Sequence, residues 1–161
     1  MAELMIAIVI MGILMAGAAP LFSSWMQNSQ IRTAAESVQN GLQLARSEAA
    51  RANASVSFTL SGNDWSVTDA DGAIIQGRRG TEGSPNVVIT SNNNTVTFNG
   101  RGRVIVPTSN TNIDVTNPKA GNCAAVGASS GARCMRVVIE TGGKVRMCDP
   151  ALTLAANPQG C

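Results

Sequence analysis

Hydrophobic positions along the chain follow two rules, and the rule changes once. From Leu4 to Phe22 every residue is apolar, with only Gly12, Gly17 and Pro20 breaking the run of larger side chains and alanines. No charge stands between Glu3 and Arg32. A run of this length is enough for a helix to cross a bilayer. From Ile31 the apolar residues narrow to one stripe, Ile31, Ala35, Val38, Leu42, Ala45 and Ala49, in steps of four and three. Arg32, Glu36, Arg46, Glu48 and Arg51 lie off it. This spacing predicts one helix from about Ala2 to Asn53, roughly 75–80 Å long, apolar all round at first and amphipathic afterwards. Pro20 removes a helical hydrogen bond and predicts a kink there. Gly12, Ala16 and Gly17 let a second helix approach closely.

After Asn53 the period becomes two. Ser55–Leu60 and Trp65–Thr68 alternate as strands do. Asp69-Ala70-Asp71-Gly72 is a turn signal, and Ala73–Gln76 is expected to return as a strand. Asp71-Gly72 alone could begin a calcium loop, but the further ligand positions are missing. Short strands are expected at Val87–Thr90, Thr95–Phe98, Val104–Val106 and Ile113–Val115, and residues 77–83 as an exposed, mobile loop. The clearest hairpin runs from Cys134–Glu140 through Thr141-Gly142-Gly143-Lys144 to Val145–Cys148. A two-residue Gly-Gly turn pairs Thr141 with Lys144 and Val137 with Cys148. The expected fold class is therefore α+β, a long N-terminal helix packed on an antiparallel β-sheet domain. The expected division is residues 1–30 as an apolar helix half and 31–161 as the head, made of helix half 31–53 and β-rich 54–161.

Composition narrows the chemistry. Among 161 residues the net charge is only +2, too small to imply nucleic acid or anionic membrane by itself. There is no His, which removes the commonest general base and zinc ligand. Asp64, Asp69, Asp71, Asp114 and Asp149 are scattered, mostly where turns favour Asp. A Ser–Lys arrangement on Lys119 or Lys144 has no adjoining motif, so no enzyme, catalytic residue, cofactor, metal or small-molecule substrate is expected. The four cysteines, Cys123, Cys134, Cys148 and Cys161, suit an oxidising compartment. Their gaps include no CxxC pair, which argues against zinc. In the two-residue register Cys134 and Cys148 point to opposite faces. Two pairings survive: Cys123–Cys134 with Cys148–Cys161, preferred because both loops are short, or Cys123–Cys148 with Cys134–Cys161.

Glu3 asks why an acid stands at the head of an apolar run. A secretory signal would carry basic residues there, although Ala16-Gly17-Ala18 is a small-residue site of the kind signal peptidases cut. A plain membrane anchor needs no acid. The segment ELMIAIVIMGILMAGAAPLF resembles the type IV pilin and pseudopilin family, whose members carry a carboxylate near the mature N-terminus and a Pro about seventeen residues later, the separation of Glu3 and Pro20. In the family the acid is the fifth mature residue, after a leader ending in Gly. Glu3 stands two residues short of that register, so the processed terminus is not read from these residues. The resemblance implies an inner-membrane subunit, head in the periplasm, that later joins an extracellular pilus or periplasmic pseudopilus. Its partners would be other pilin subunits, met through the N-terminal helix. Glu3 would meet a neighbour's N-terminal amine, which makes an otherwise costly carboxylate tolerable and sets axial register.

RCMRVVIETGGKVRMCDP and FNGRGRV are similar to segments of minor pilins of the GspH/FimT/FimU class. That resemblance implies a non-catalytic minor pilin of a type IV pilus, in the filament or its priming tip. A type II secretion pseudopilin is the alternative. Some FimT-type members capture DNA in natural transformation through a G-R-x-R-like motif. Gly100-Arg101-Gly102-Arg103 fits that pattern, and Gly143-Lys144-Val145-Arg146 has Lys for the first Arg. Arg101, Arg103, Lys144 and Arg146 are thus candidate phosphate contacts. The bland reading is a solvated strand edge whose cations discourage pairing. No aromatic interleaves these groups, which weakens base stacking.

Overall fold

A computed structural model describes residues 2–126 and 131–161, and the side chains of residues 3–15, 22–126 and 131–161. Helix α1 spans Ala2–Ala52. It stops where Asn53 adopts a left-handed φ of 49° and the Ala54 N–H donates to Ala49 O at 3.2 Å. That six-to-one bond satisfies a carbonyl the helix end would otherwise leave open. All six stripe residues, Ile31 to Ala49, are 0% exposed. Full burial of a side chain such as Leu42 contributes ~1.5–3 kcal/mol. The expected kink falls on Pro20, outside the residues whose side chains are described.

The strands are β1 Val56–Ser61, β2 Asp64–Thr68, β3 Ile74–Arg78, β4 Val88–Ser91, β5 Thr95–Phe98, β6 Val104–Val106, β7 Thr111–Thr116, β8 Met135–Ile139 and β9 Val145–Cys148. They form two antiparallel sheets, in the orders β3-β2-β1-β5-β6 and β4-β7-β8-β9. Strands of both sheets pack on α1. Alternation puts Val56, Phe58, Val67, Val96 and Phe98 of the first sheet and Ile113, Val115, Val137 and Ile139 of the second into one core with α1. Gly41 sets the distance to the first sheet: a Cβ there would stand 2.9 Å from the Phe58 ring and 3.1 Å from Trp65. Those two rings stack at 5.7 Å.

Three hairpin loops share one geometry. In residues 69–73, 99–103 and 140–144 the first N–H donates to the fifth carbonyl, and the fourth N–H donates to the first carbonyl. The fourth residue is each time a Gly with positive φ: Gly72 at 85°, Gly102 at 69° and Gly143 at 86°. This is a type I turn closed by a glycine bulge, with three loop residues. It corrects the expected two-residue Gly-Gly turn. Glu140, not Thr141, faces Lys144, and Arg136, not Val137, faces Cys148. The reason is that only the second glycine is left-handed, while Gly142 serves the right-handed turn.

Residues 77–83 also differ from expectation. Gly77 and Arg78 belong to β3. Gly80 packs on Asn63 and donates its N–H to Asp64 Oδ1 at 2.7 Å, and Arg78 Nη2 donates to Glu82 O at 2.8 Å. The segment is exposed in part but tied down.

Candidate assembly and binding surfaces

The described side chains at the start of α1 are bare. From Leu4 to Met15 the large apolar side chains are between 53% and 72% exposed. Glu3 lies in the first turn, where a carboxylate is favoured by the helix dipole. Gly12 has open space where a side chain would stand, so its face of the helix is free for a neighbour. Ala16, Gly17 and Pro20 fall outside the described side chains. Among the described residues no helix is long and apolar enough to cross a membrane. The apolar surface continues as Phe22 and Trp25, whose rings lie 6.0 Å apart and are 59% and 66% exposed.

The head grips α1 from Gln27 onward. Asn117 Nδ2 donates to Gln27 Oε1 at 2.6 Å, the Arg133 N–H to Asn28 Oδ1 at 3.0 Å, and Ser84 Oγ to Gln30 O at 3.1 Å. A groove of about 480 Å³ opens between α1 and the β8–β9 hairpin beside Trp25, Arg32, Arg133 and Met147.

The disulfides are Cys123–Cys134 and Cys148–Cys161, with Cα separations of 5.4 and 5.2 Å. This is the short-loop pairing. The face argument against Cys134–Cys148 does not survive the corrected register, since residues 134, 136 and the partner 148 now share a face. Among the described residues no cysteine is free, and no group of Cys, Asp and Glu gathers where it could hold a metal ion.

The acids are occupied by structure. Asp69 Oδ1 accepts from the N–H groups of Asp71 and Ala73, closing its loop. Asp149, nearly buried, accepts from the Ala151 N–H at 2.8 Å and lies 3.6 Å from Arg133. Asp114 takes two bonds from Arg136, at 2.6 and 3.1 Å, across β7 and β8. That hydrogen-bonded carboxylate raises the Arg136 guanidinium above its ordinary pKa, against a smaller lowering by burial.

The structure brings the two Gly-basic stretches together. A Cβ on Gly143 would collide with Gly102 O, so the 99–103 and 140–144 loops meet backbone to backbone. The Val104 N–H donates to Thr141 O at 3.2 Å and holds them there. Arg101, Arg103 and Lys144 are exposed on this paired tip. Arg46 joins from α1, its Nε 3.1 Å from where a Gly102 Cβ would be. Sequence reasoning missed Arg46; its only signal was its place off the buried stripe near the helix end. Arg146 does not join. Its Nη1 and Nη2 donate to Gly160 O at 3.1 Å and Cys161 O at 3.4 Å.

Residues 34–143 match the family model described as Type II transport protein GspH. No curated protein matches the sequence significantly. Among solved structures the chain resembles the type IV minor pilin FimU of Pseudomonas aeruginosa. The TM-score is 0.60 at 19% identity, over 85% of this chain and 98% of that one. It also resembles the minor pseudopilin EpsH from the Type 2 Secretion System of Vibrio cholerae. There the TM-score is 0.55 at 12% identity, over 75% of this chain and 98% of that one.

Proposed function

Since the chain belongs to the GspH family of type II transport proteins, a family of structural subunits rather than enzymes, we propose that it is a minor pilin of a type IV pilus. The subunit waits in the inner membrane with its head in the periplasm, then enters the filament or its priming tip through α1. The observation that supports this reading is the bare helix half, Leu4 to Met15, which the head leaves wholly uncovered. Apolar surface of that extent needs lipid or other helices around it. In the sequence the same run continues to Phe22. Leaving lipid for a bundle of sister helices keeps that surface dry. It also brings Glu3 to a cation, which removes the cost of an isolated carboxylate. Gly12, Ala16, Gly17 and Pro20 shape the face along which those helices meet. The disulfide-stapled end, with its RC and CDP segments, favours the pilus over a secretion pseudopilus.

The test is deletion of the gene with surface filaments and protein secretion scored side by side. Loss of filaments with secretion intact supports the pilus. Loss of secretion alone would move the subunit to a type II secretion pseudopilus. A Glu3→Gln chain should insert in the membrane yet fail to restore filaments.

A second reading, DNA capture, is favoured by the gathering of Arg46, Arg101, Arg103 and Lys144 on one tip, where none forms an ion pair among the described residues. Four free cations would give salt-dependent, sequence-independent attraction to phosphates. Duplex binding by the chain at low salt, lost when these four become Ala, is the expected result. Absence of binding at low salt would end it.

A further inference from the structure

We propose that the rim of the head where α1 leaves it is a surface for anionic phospholipid headgroups, anchored by Trp25 and charged by Lys119 and Arg133. This rests on the membrane-held state proposed above.

The helix leaves no slack between span and head. The apolar run ends at Phe22, and the head already holds Gln27 and Asn28. Only residues 23–26 lie between, within continuous α1. Four residues of helix rise roughly 6 Å. The run from Leu4 to Phe22 is itself roughly 28 Å long, close to the thickness of a hydrocarbon core, and the headgroup layer adds about 5–8 Å on each side. When the run fills the core, Gln27 and Asn28, roughly 7.5 and 9 Å past Phe22, therefore stand at the outer edge of the headgroup layer. Asn117 and Arg133, bonded to them, stand there too. The head cannot float above the membrane on a tether; its rim rests on lipid before any neighbouring subunit arrives.

The residues on that rim suit such a contact. The chain has five aromatic residues. Phe58, Trp65 and Phe98 are buried in the core, while Phe22 and Trp25 stand exposed at the exit of the helix. A Trp ring with its polar N–H fits the boundary between acyl chains and water. Lys119 is exposed on the short 3-10 turn Pro118–Ala120, directly after the Asn117 that holds Gln27, and forms no ion pair among the described residues. The Arg133 side chain is half exposed and shares Asp149 at 3.6 Å. Arg32, one helical turn above Asn28, shares Glu36. Three cations thus face two acids, and long basic side chains can reach down to phosphates.

The test uses the full chain reconstituted in phosphatidylcholine vesicles with and without phosphatidylglycerol. The Trp25 signal is the difference between the chain and its Trp25→Phe variant, so that core Trp65 cancels. Trp25 should be several-fold less accessible to aqueous iodide than in detergent-free tryptophan solution. It should be quenched most by lipids brominated nearest the carbonyl. Phosphatidylglycerol should increase that protection, and a Lys119→Ala, Arg133→Ala double variant should lose the increase. If the chain inserts, resisting alkaline extraction, while Trp25 stays open to iodide, the headgroup surface is overturned and the membrane-held state stands. Failure to insert overturns both. Protection that appears only at protein densities where subunits cross-link would overturn the lipid assignment in favour of a neighbouring subunit.

Discussion

The indole of Trp65 donates its Nε1–H to Ser37 Oγ at 2.9 Å, joining the first sheet to α1 inside the core. Ser37 is one of the few buried polar residues, at 8% exposure. The bond explains how a serine sits on the packed side of the helix. It also fixes the helix in both rotation and height against β2, which apolar contacts alone do less sharply.

Ser37→Ala would leave that N–H unpaired in an apolar site. The expected cost is about 1–3 kcal/mol in urea unfolding. In a Trp65→Phe background the same change should cost much less, because the donor is gone. Equal costs in both backgrounds would show that the bond does not hold the two elements together.

Gly143→Ala and Gly142→Ala should separate sharply. At Gly143 the backbone is left-handed and a Cβ meets Gly102 O, so the loops must part. A loss of more than about 1 kcal/mol is expected there. At Gly142 there is nothing within 4 Å, and a change within about 0.5 kcal/mol is expected. Thermal unfolding of the two variants decides it. A mild Gly143→Ala would mean that the paired tip is not packed as described.

Among the four basic residues of the Gly-basic stretches, Arg146 should behave differently. Arg146→Ala frees the carbonyls of Gly160 and Cys161, so amide exchange should quicken in residues 149–161. Ala at Arg101, Arg103 or Lys144 should leave exchange there unchanged. The disulfide Cys148–Cys161 limits the effect, and a Cys161→Ser variant should enlarge it, with a stability loss of about 2–4 kcal/mol.

The Arg136–Asp114 pair should contribute a steady increment through neutral pH. The Arg136 pKa is raised, so its share of stability is present below the unfolded arginine pKa and is lost only as pH climbs through the folded one, at strongly alkaline pH. Both side chains remain about one-third exposed, which keeps the pair near ~0.5–1 kcal/mol and makes it sensitive to salt. A double-mutant cycle with Asp114→Asn and Arg136→Lys, run at low and high salt, measures it. A coupling energy that varies between pH 6 and 9 would contradict this account.

The helix stripe was fully legible, because a 3.6-residue period leaves one face and all six residues named on it are fully buried. The strands were legible by alternation, each within a few residues of its limits. The division of the strands into two sheets was not, since pairing between β1 and β5 or β7 and β8 crosses long sequence gaps that no local pattern encodes. The hairpin register slipped by one residue at Gly142-Gly143. The signal was present three times over, as Asp69 to Gly72, Asn99 to Gly102 and Glu140 to Gly143, each with Gly three residues after the loop opens. Two of those openings are Asx residues whose side chains close the turn. The meeting of the two Gly-basic stretches followed from the third dimension alone. So did the diversion of Arg146 to the chain end.

The seam between α1 and the head has a mechanical meaning. Its fully buried residues are spread from Ile31 to Ala49 parallel to the rod, with polar grips added near Gln27 and Gln30. Traction applied at the far end of the rod reaches the head as shear along this whole seam, so many contacts must yield together and none can be peeled in turn. Such a subunit resists being pulled apart far better than it resists being pushed sideways at the same joint.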